Sequence, residues 1–278
     1  MHLSDAGAEM STSGAKAALV TGASSGIGRA TAALLAERGY RVLGTCRDPE
    51  SLRADQQVPE VRYLPLDLTD PDSVARCADR AGVVDVLVNN AGQSQLAPFE
   101  ELPPAVLEQQ FASNVLGPVR LTQLLLPGMR EQGYGRVVMV GSMQASFPLA
   151  FRSSYVASKA ALKGFALAAR KELEPFGVAC TVVEPGQINT GISSRRDRFI
   201  ADPSPYADRY FRVSAMLDAG EATGTPPSRV AQTIVQAVEA RKPKPLYAVG
   251  SNAPLIFALR RLLPRQTVER LVSRRFGL

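Results

Sequence analysis

The sequence predicts a doubly wound α/β domain: a mostly parallel, seven-stranded sheet with helices on both faces. Three observations predict it. Short segments that are apolar throughout alternate with longer ones whose apolar residues recur at helical spacing, the pattern of strands buried on both faces. A glycine-rich junction, Thr21-Gly22-Ala23-Ser24-Ser25-Gly26-Ile27-Gly28, joins the first strand to the first helix. No internal repeat or Gly/Ser linker divides the 278 residues, enough for one large domain with a substantial core.

Taken in order, residues 1–14 are small and polar and read as a flexible leader. The catalytic domain is expected over 15–250, and residues 251–278 extend it. Ala17–Thr21 is a short apolar strand, and Gly26–Arg38 a helix with Ile27, Ala30, Leu34 and Leu35 on one face. Strands follow at Arg41–Thr45 and Val61–Leu64, a short helix at Ser73–Arg80, and a buried strand at Val86–Val88. Pro103–Arg130 reads as one long helix bent near Gly117-Pro118. Then come a strand at Arg136–Val140, a helix at Ser154–Glu174 and a strand at Val178–Val183. A helix at Ser228–Ala240 starts after Pro226-Pro227, and Leu246–Val249 is the last strand. Residues 187–225 show no clear period and read as a long substrate loop.

Composition excludes several classes. The only histidine is His2, so no Ser-His-Asp triad, no HExxH zinc helix and no histidine base is available inside the fold. Cys46, Cys77 and Cys180 lie too far apart for a disulfide framework or a Cys-x-x-Cys metal site, and no metal is expected. The longest apolar runs are five residues, too short for a membrane span, and the first residues lack the pattern of a secretory signal. A cytoplasmic protein is expected. Residues 241–278 hold nine Lys/Arg against one acid, Glu269, a net of +8 that leaves the other 240 residues at −2 of the overall +6. The basicity therefore belongs to the tail, and no nucleic-acid motif accompanies it.

Glycines at the first strand–helix junction permit a tight turn and let a pyrophosphate approach Gly22, Ser24, Ser25, Gly26, Ile27 and Gly28, where the helix offers free N–H groups. That context points to a dinucleotide. The second strand ends Thr45-Cys46-Arg47 with no acid at its tip, and a guanidinium suits a 2′-phosphate, so NADP(H) is favoured over NAD(H). Tyr155-Val-Ala-Ser-Lys159 places a phenol and an ammonium on one helix face, where the cation lowers the phenol's pKa. Ser142 ends the preceding strand and Asn114 lies in the long helix before it.

Together these residues resemble the short-chain dehydrogenase/reductase family from about residue 15 to 250, through Thr21-Gly-x-x-x-Gly-x-Gly28, Asp67, Asn89-Asn-Ala-Gly92, Asn114, Ser142, Tyr155-x-x-x-Lys159 and Pro185-Gly186. The resemblance implies a Rossmann-type fold and a catalytic set of Asn114, Ser142, Tyr155 and Lys159. In that scheme Tyr155 is the general acid or base, and Ser142 steadies the substrate oxygen. Lys159 lowers the tyrosine pKa and holds the nicotinamide ribose, while Asn114 positions a relay water. It further implies that Asp67 and Leu68 meet the adenine, that Asn90, Ala91 and Gly92 line the ribose side, and that Pro185, Gly186, Ile188 and Thr190 cradle the nicotinamide. Thr190 is also open to a loop-capping role, and Asn89 to a structural one. Within the family, Thr45-Cys46-Arg47-Asp48 and the long tail look like the 17β-hydroxysteroid and retinol dehydrogenase branch.

The expected activity is NADP(H)-dependent interconversion of a ketone or aldehyde and an alcohol, on an apolar small molecule. Reduction of a polarised C=C, an isomerisation, and a non-catalytic NADP-binding sensor or scaffold are the alternatives. The pocket wall is expected from Gln93, Met143, Gln144, Phe147, Phe151 and Gln187, with Phe199, Tyr206, Tyr210 and Phe211 either joining it or packing their loop onto the body. Arg195, Arg196 and Arg198 are open to an acidic ligand or to solvent. The tail row Leu255, Ile256, Leu259, Leu262 and Leu263, beside Arg260 and Arg261, is open to three roles: pocket cover, peripheral membrane contact or subunit contact. The resemblance implies a homodimer or homotetramer, and Ala157, Ala160, Ala161, Gly164 and Ala168 would admit a second helix unless they only accommodate the chain's own sheet.

Overall fold

Residues 14–278 are described by a computed structural model, so the expected leader lies outside the described residues apart from Gly14. The first half comprises β1 (Ala17–Val20), α1 (Gly26–Glu37), β2 (Arg41–Cys46), β3 (Val61–Pro65), α2 (Pro71–Ala81), β4 (Val86–Asn89), β5 (Gln95–Leu96), α3 (Pro104–Phe111) and α4 (Gly117–Glu131). The second half comprises β6 (Gly135–Val140), α5 (Ser153–Leu173), β7 (Val178–Pro185), β8 (Asp197–Arg198), α6 (Ala207–Ala222), α7 (Pro227–Glu239), β9 (Leu246–Val249), α8 (Ala253–Leu262) and α9 (Arg265–Arg275).

Seven strands form one sheet in the order β3-β2-β1-β4-β6-β7-β9, and every pairing in it is parallel. The seven are those the apolar runs predict. Alternate residues of β1 serve opposite faces: Ala17 and Leu19 join α2, α4 and α5 on one side, while Ala18 and Val20 join α1 and α7 on the other. Each fully buried Val or Leu in these layers contributes roughly 1.5–3 kcal/mol. The chain leaves β1 in one direction and β4 in the other, and this switch point opens a crevice at the carboxyl ends of the strands.

Four details depart from the expectations. Helix α1 buries Gly28, Thr31, Ala32 and Leu35, a stripe one residue along from the expected one, because the small residues let it approach the sheet. The long helix is interrupted by a π-helical turn over Ala112–Leu116, where Gly117 N–H donates to the Ala112 carbonyl, so the irregularity starts before Gly117. Pro118 has no N–H to give Asn114's carbonyl, and a Cβ on Gly117 would sit 2.3 Å from the Leu68 carbonyl oxygen, so only glycine fits there. The segment 187–225 is more ordered than expected: β8 pairs with β5, and α6 buries Tyr210, Val213, Ser214 and Leu217 at helical spacing. Ser214 inside that stripe, and exposed Phe211 and Met216 outside it, conceal the period in the sequence. The tail, finally, is two helices, α8 and α9.

Candidate active site

The crevice continues into one cavity of about 780 Å³ that runs from the β2–β3 tips to the tail. Every expected cofactor residue lines it except Gly28, which lies behind the turn: a Cβ there would come within 2.2 Å of the Gly22 carbonyl oxygen. Gly22 and Gly26 take left-handed backbone (φ +68° and +52°), which glycine adopts without strain. Thr21 locks the turn to β4, its hydroxyl accepting from Asn90 N–H (2.9 Å) and Ala91 N–H (3.0 Å). Asn90 Nδ2 donates back to the Thr21 carbonyl at 2.9 Å. At the N-terminus of α1, Ser25 makes no side-chain cap and the first turn holds no acid, so the helix end is suited to an anion. Ser25's hydroxyl instead accepts from Arg195 Nη1 at 3.0 Å. Arg47 is exposed on the cavity rim next to Cys46. A bare glycine cradle, an uncapped helix end and a rim guanidinium fit a dinucleotide.

Ser142, Tyr155 and Lys159 come together on the cavity wall. Ser142 stands at the end of β6, its hydroxyl accepting from Gln144 N–H at 3.2 Å. Lys159 is 5% exposed, donates to the Val140 carbonyl at 2.9 Å, and is held below its ordinary pKa by burial, an effect Tyr155 partly offsets. Asn114 is not on the wall. It is fully buried behind Gly92, where its Oδ1 accepts from Gln93 N–H (2.8 Å) and its Nδ2 donates to the Gln93 carbonyl (3.0 Å) and Ser158 Oγ (3.1 Å). The side chain thus pins the β4 loop to α5. A Cβ on Gly92 would lie 3.0 Å from Asn114 Oδ1 and 3.4 Å from Lys159 Nζ, so glycine lets the two side chains flank the loop.

Arg152, one turn before Tyr155, is a site residue the motifs do not reveal. Its guanidinium carbon lies 4.1 Å from the centroid of the Tyr155 ring, and the residue is 3% exposed. It donates to Gln144 Oε1 (3.1 Å), Ser94 Oγ (2.8 Å) and the Gln95 carbonyl (2.9 Å), all neutral acceptors. Burial pulls its pKa down to about 10, with Tyr155 the largest opposing influence. The only signal in the sequence is an arginine directly after the apolar run Phe147-Pro-Leu-Ala-Phe151. Arg196 shares Ser94 (3.2 Å) and pairs with Asp218 and Glu221 of α6, so it is neither solvated nor free for a ligand. Arg198 joins it on Asp218 at 2.9 Å. Behind the Ser142 turn, fully buried Glu184 pairs with Lys163 (2.9 Å), and Ser146 donates to its other oxygen (2.9 Å).

Of the expected substrate residues, Gln93, Met143, Gln144, Phe147 and Gln187 line the cavity and Phe151 does not. Phe151 has φ +62°, which turns its ring onto Tyr206 and Tyr210 of the α6 layer, at 6.4 and 5.8 Å. Of the loop aromatics only Phe199 reaches the cavity; Tyr210 is core, and Phe211 is exposed against it. The sequence does not mark Leu149, Leu217, Val272 and Phe276 as pocket residues, yet they complete an apolar wall together with Ile256, the one residue of the tail row that lines the cavity. Ser251 and Asn252, both in left-handed backbone, reverse the chain after β9 and set α8 over the opening.

Fold and site define an oxidoreductase that uses a nicotinamide dinucleotide. The family described as short chain dehydrogenase matches residues 16–200. A 3-ketodihydrosphingosine reductase of Bacteroides thetaiotaomicron is 30% identical over 246 residues, 86% of this chain and 90% of that protein. Among solved structures, a short-chain dehydrogenase from Streptomyces avermitilis superposes with TM-score 0.80 at 34% identity, covering 95% of this chain and 98% of the other. A Burkholderia cenocepacia short chain dehydrogenase in complex with NADP superposes with TM-score 0.74 at 26% identity, covering 93% and 97%. The chain belongs to the short-chain dehydrogenase/reductase family and is an NAD(P)-dependent oxidoreductase.

The thiols offer a probe of the cleft. Cys77 and Cys180 are buried, which pushes them up to about 11 and about 12; burial raises Cys46 as well, but it is only half-buried and lies on the cavity wall, where a reagent can reach it. Iodoacetamide at mildly alkaline pH is therefore expected to label native protein at Cys46 alone and denatured protein at all three cysteines. NADPH should slow the Cys46 reaction, read by mass spectrometry of the peptides.

Proposed function

We propose that the chain is an NADP(H)-dependent carbonyl reductase/alcohol dehydrogenase acting on an apolar substrate, of the 17β-hydroxysteroid and retinol dehydrogenase-like branch. The observation that carries this is Tyr155 on the cavity wall between two buried cations, Lys159 and Arg152, with Ser142 beside it and apolar side chains beyond. When bound, the nicotinamide supplies the hydride in reduction and takes it up in oxidation. Tyr155 donates its phenolic proton to the carbonyl oxygen as negative charge grows there, and Ser142's hydroxyl donates a second hydrogen bond. The phenolate left behind faces Arg152 and the Lys159 helix turn, where both cations favour it. Asn114's main-chain carbonyl, given no partner by Pro118, supports a water on the path that returns a proton through Lys159. A relative named for reduction of a 3-keto compound supports a ketone substrate.

A homodimer through the outer faces of α4 and α5 completes the proposal. Ala157, Ala160, Gly164 and Ala168 are exposed along α5, so this row of small residues faces away from the sheet. Leu116 (62% exposed), Leu124 (43%) and Phe165 (49%) accompany it. Together they suit a second pair of helices, whose burial would remove this apolar surface from water.

Tyr155→Phe is expected to keep NADPH affinity and to lose most turnover across a panel of ketones, enones and alcohols, with NADPH consumption and product identity measured together. Near-normal turnover would remove Tyr155 from the chemistry. Arg47→Ala should weaken NADPH by roughly 1–3 kcal/mol, the scale of a charge-assisted hydrogen bond, and leave NADH nearly unchanged. Equal losses in fluorescence titrations would assign Arg47 to the fold instead. Light scattering at micromolar concentration is expected to give a dimer mass, and Phe165→Glu a monomer.

A further inference from the structure

We propose that α8 and α9 form a basic, two-faced lid that rests on an anionic bilayer and takes the substrate from it. The substrate half of this rests on the carbonyl-reductase reading, whereas the surface does not. The inner face is built into the site: Ile256, Phe257, Val268 and Val272 pack with Met143 and Phe147, and Ile256, Val272 and Phe276 also wall the cavity. The outer face is a second apolar row. Leu255, Leu259 and Leu262 follow one another at i, i+4 and i+7 along α8 and are 61, 40 and 79% exposed, and Leu271 of α9 is 52% exposed. A helix with apolar residues on both flanks is placed between two apolar media: here the cavity on one side and a phase outside the protein on the other.

Charge identifies that phase. Residues 251–278 contain six arginines and one acid, and Arg260, Arg261, Arg270, Arg274 and Arg275 are all exposed. Arg260 lies over the Phe147 ring (5.3 Å) and Arg275 lines the cavity, so two of these basic residues stand at the pocket itself. A second copy of this chain is the weaker occupant, because a two-fold interface sets a patch against itself and would bring the arginines of both copies together. An anionic headgroup layer meets both the arginines and the leucines. At 10 residues, about 15 Å, α8 is half the length needed to cross the hydrocarbon core, and among the described residues no helix is long and apolar enough to do so. It lies on the surface, and an amphiphilic ketone dissolved in the acyl chains reaches the cavity by way of the lid.

Flotation of the full chain, with NADPH and without substrate, on phosphatidylcholine vesicles with and without phosphatidylglycerol tests this. Binding at least about tenfold stronger to the anionic vesicles, and weakened by salt, is expected. The Leu255→Glu/Leu259→Glu/Leu262→Glu variant should lose it while keeping the wild-type melting temperature and NADPH affinity, and Arg261→Gln/Arg270→Gln should lose the preference for anionic lipid. No binding, equal binding to both vesicles, or binding that survives the leucine variant overturns the proposal. So does a lower oligomeric mass for the leucine variant by light scattering, which would give the face to a second copy. Vesicle binding needs no turnover, so a carbonyl panel without activity would overturn the enzymatic reading and leave the surface standing.

Discussion

The site is organised around the cost of holding two cations out of water beside one phenol. An isolated buried charge is strongly disfavoured unless dipoles or an opposite charge compensate it. Lys159 meets the Val140 carbonyl at the end of β6, and Arg152 meets the Gln95 carbonyl, Ser94 and Gln144. None of these acceptors carries a charge. Arg152 is helped further by Tyr155, whose ring it covers, and by Glu221. Burial holds both cations below their ordinary pKa, and Tyr155 opposes that shift in each.

Much of the surrounding fold serves to hold those acceptors still. Asn114 ties the Gln93 loop to α5, and Ser94, one residue on, bridges Arg152 to Arg196. Arg196 passes the linkage to α6 through Asp218 and Glu221, so the segment after β7 is fastened to the start of α5 through Ser94. The Glu184–Lys163 pair with Ser146 braces the turn that presents Ser142. At the cofactor end, Thr21 joins β1 to the loop after β4 across the switch point, and Arg195 reaches from the segment after β7 to Ser25. The two halves of the cavity are thereby linked through one segment.

The seven-stranded sheet, its parallel character and the glycine cradle were legible in the residues alone. Those features rest on local physics: fully apolar strands, helical periodicity and glycines where the backbone turns left-handed at Gly22 and Gly26. That Tyr155, Lys159 and Ser142 share the cavity wall was legible for the same reason, since Tyr155 and Lys159 are one helix turn apart and Ser142 follows a strand end. Arg152, Arg196 and Glu184 were not, because nothing local distinguishes a buried charge from a solvated one; partners that lie 58 residues away from Arg152 and 22 to 25 from Arg196 decide it. The same holds for Phe151, which only its left-handed backbone turns out of the pocket, and for α6, whose buried stripe contains a serine. The tail's apolar residues could be read as amphipathic, but packing is what sends Ile256 and Val272 to the cavity wall and leaves Leu255, Leu259 and Leu262 in an exposed row, since which side of a helix is inside depends on what it packs against.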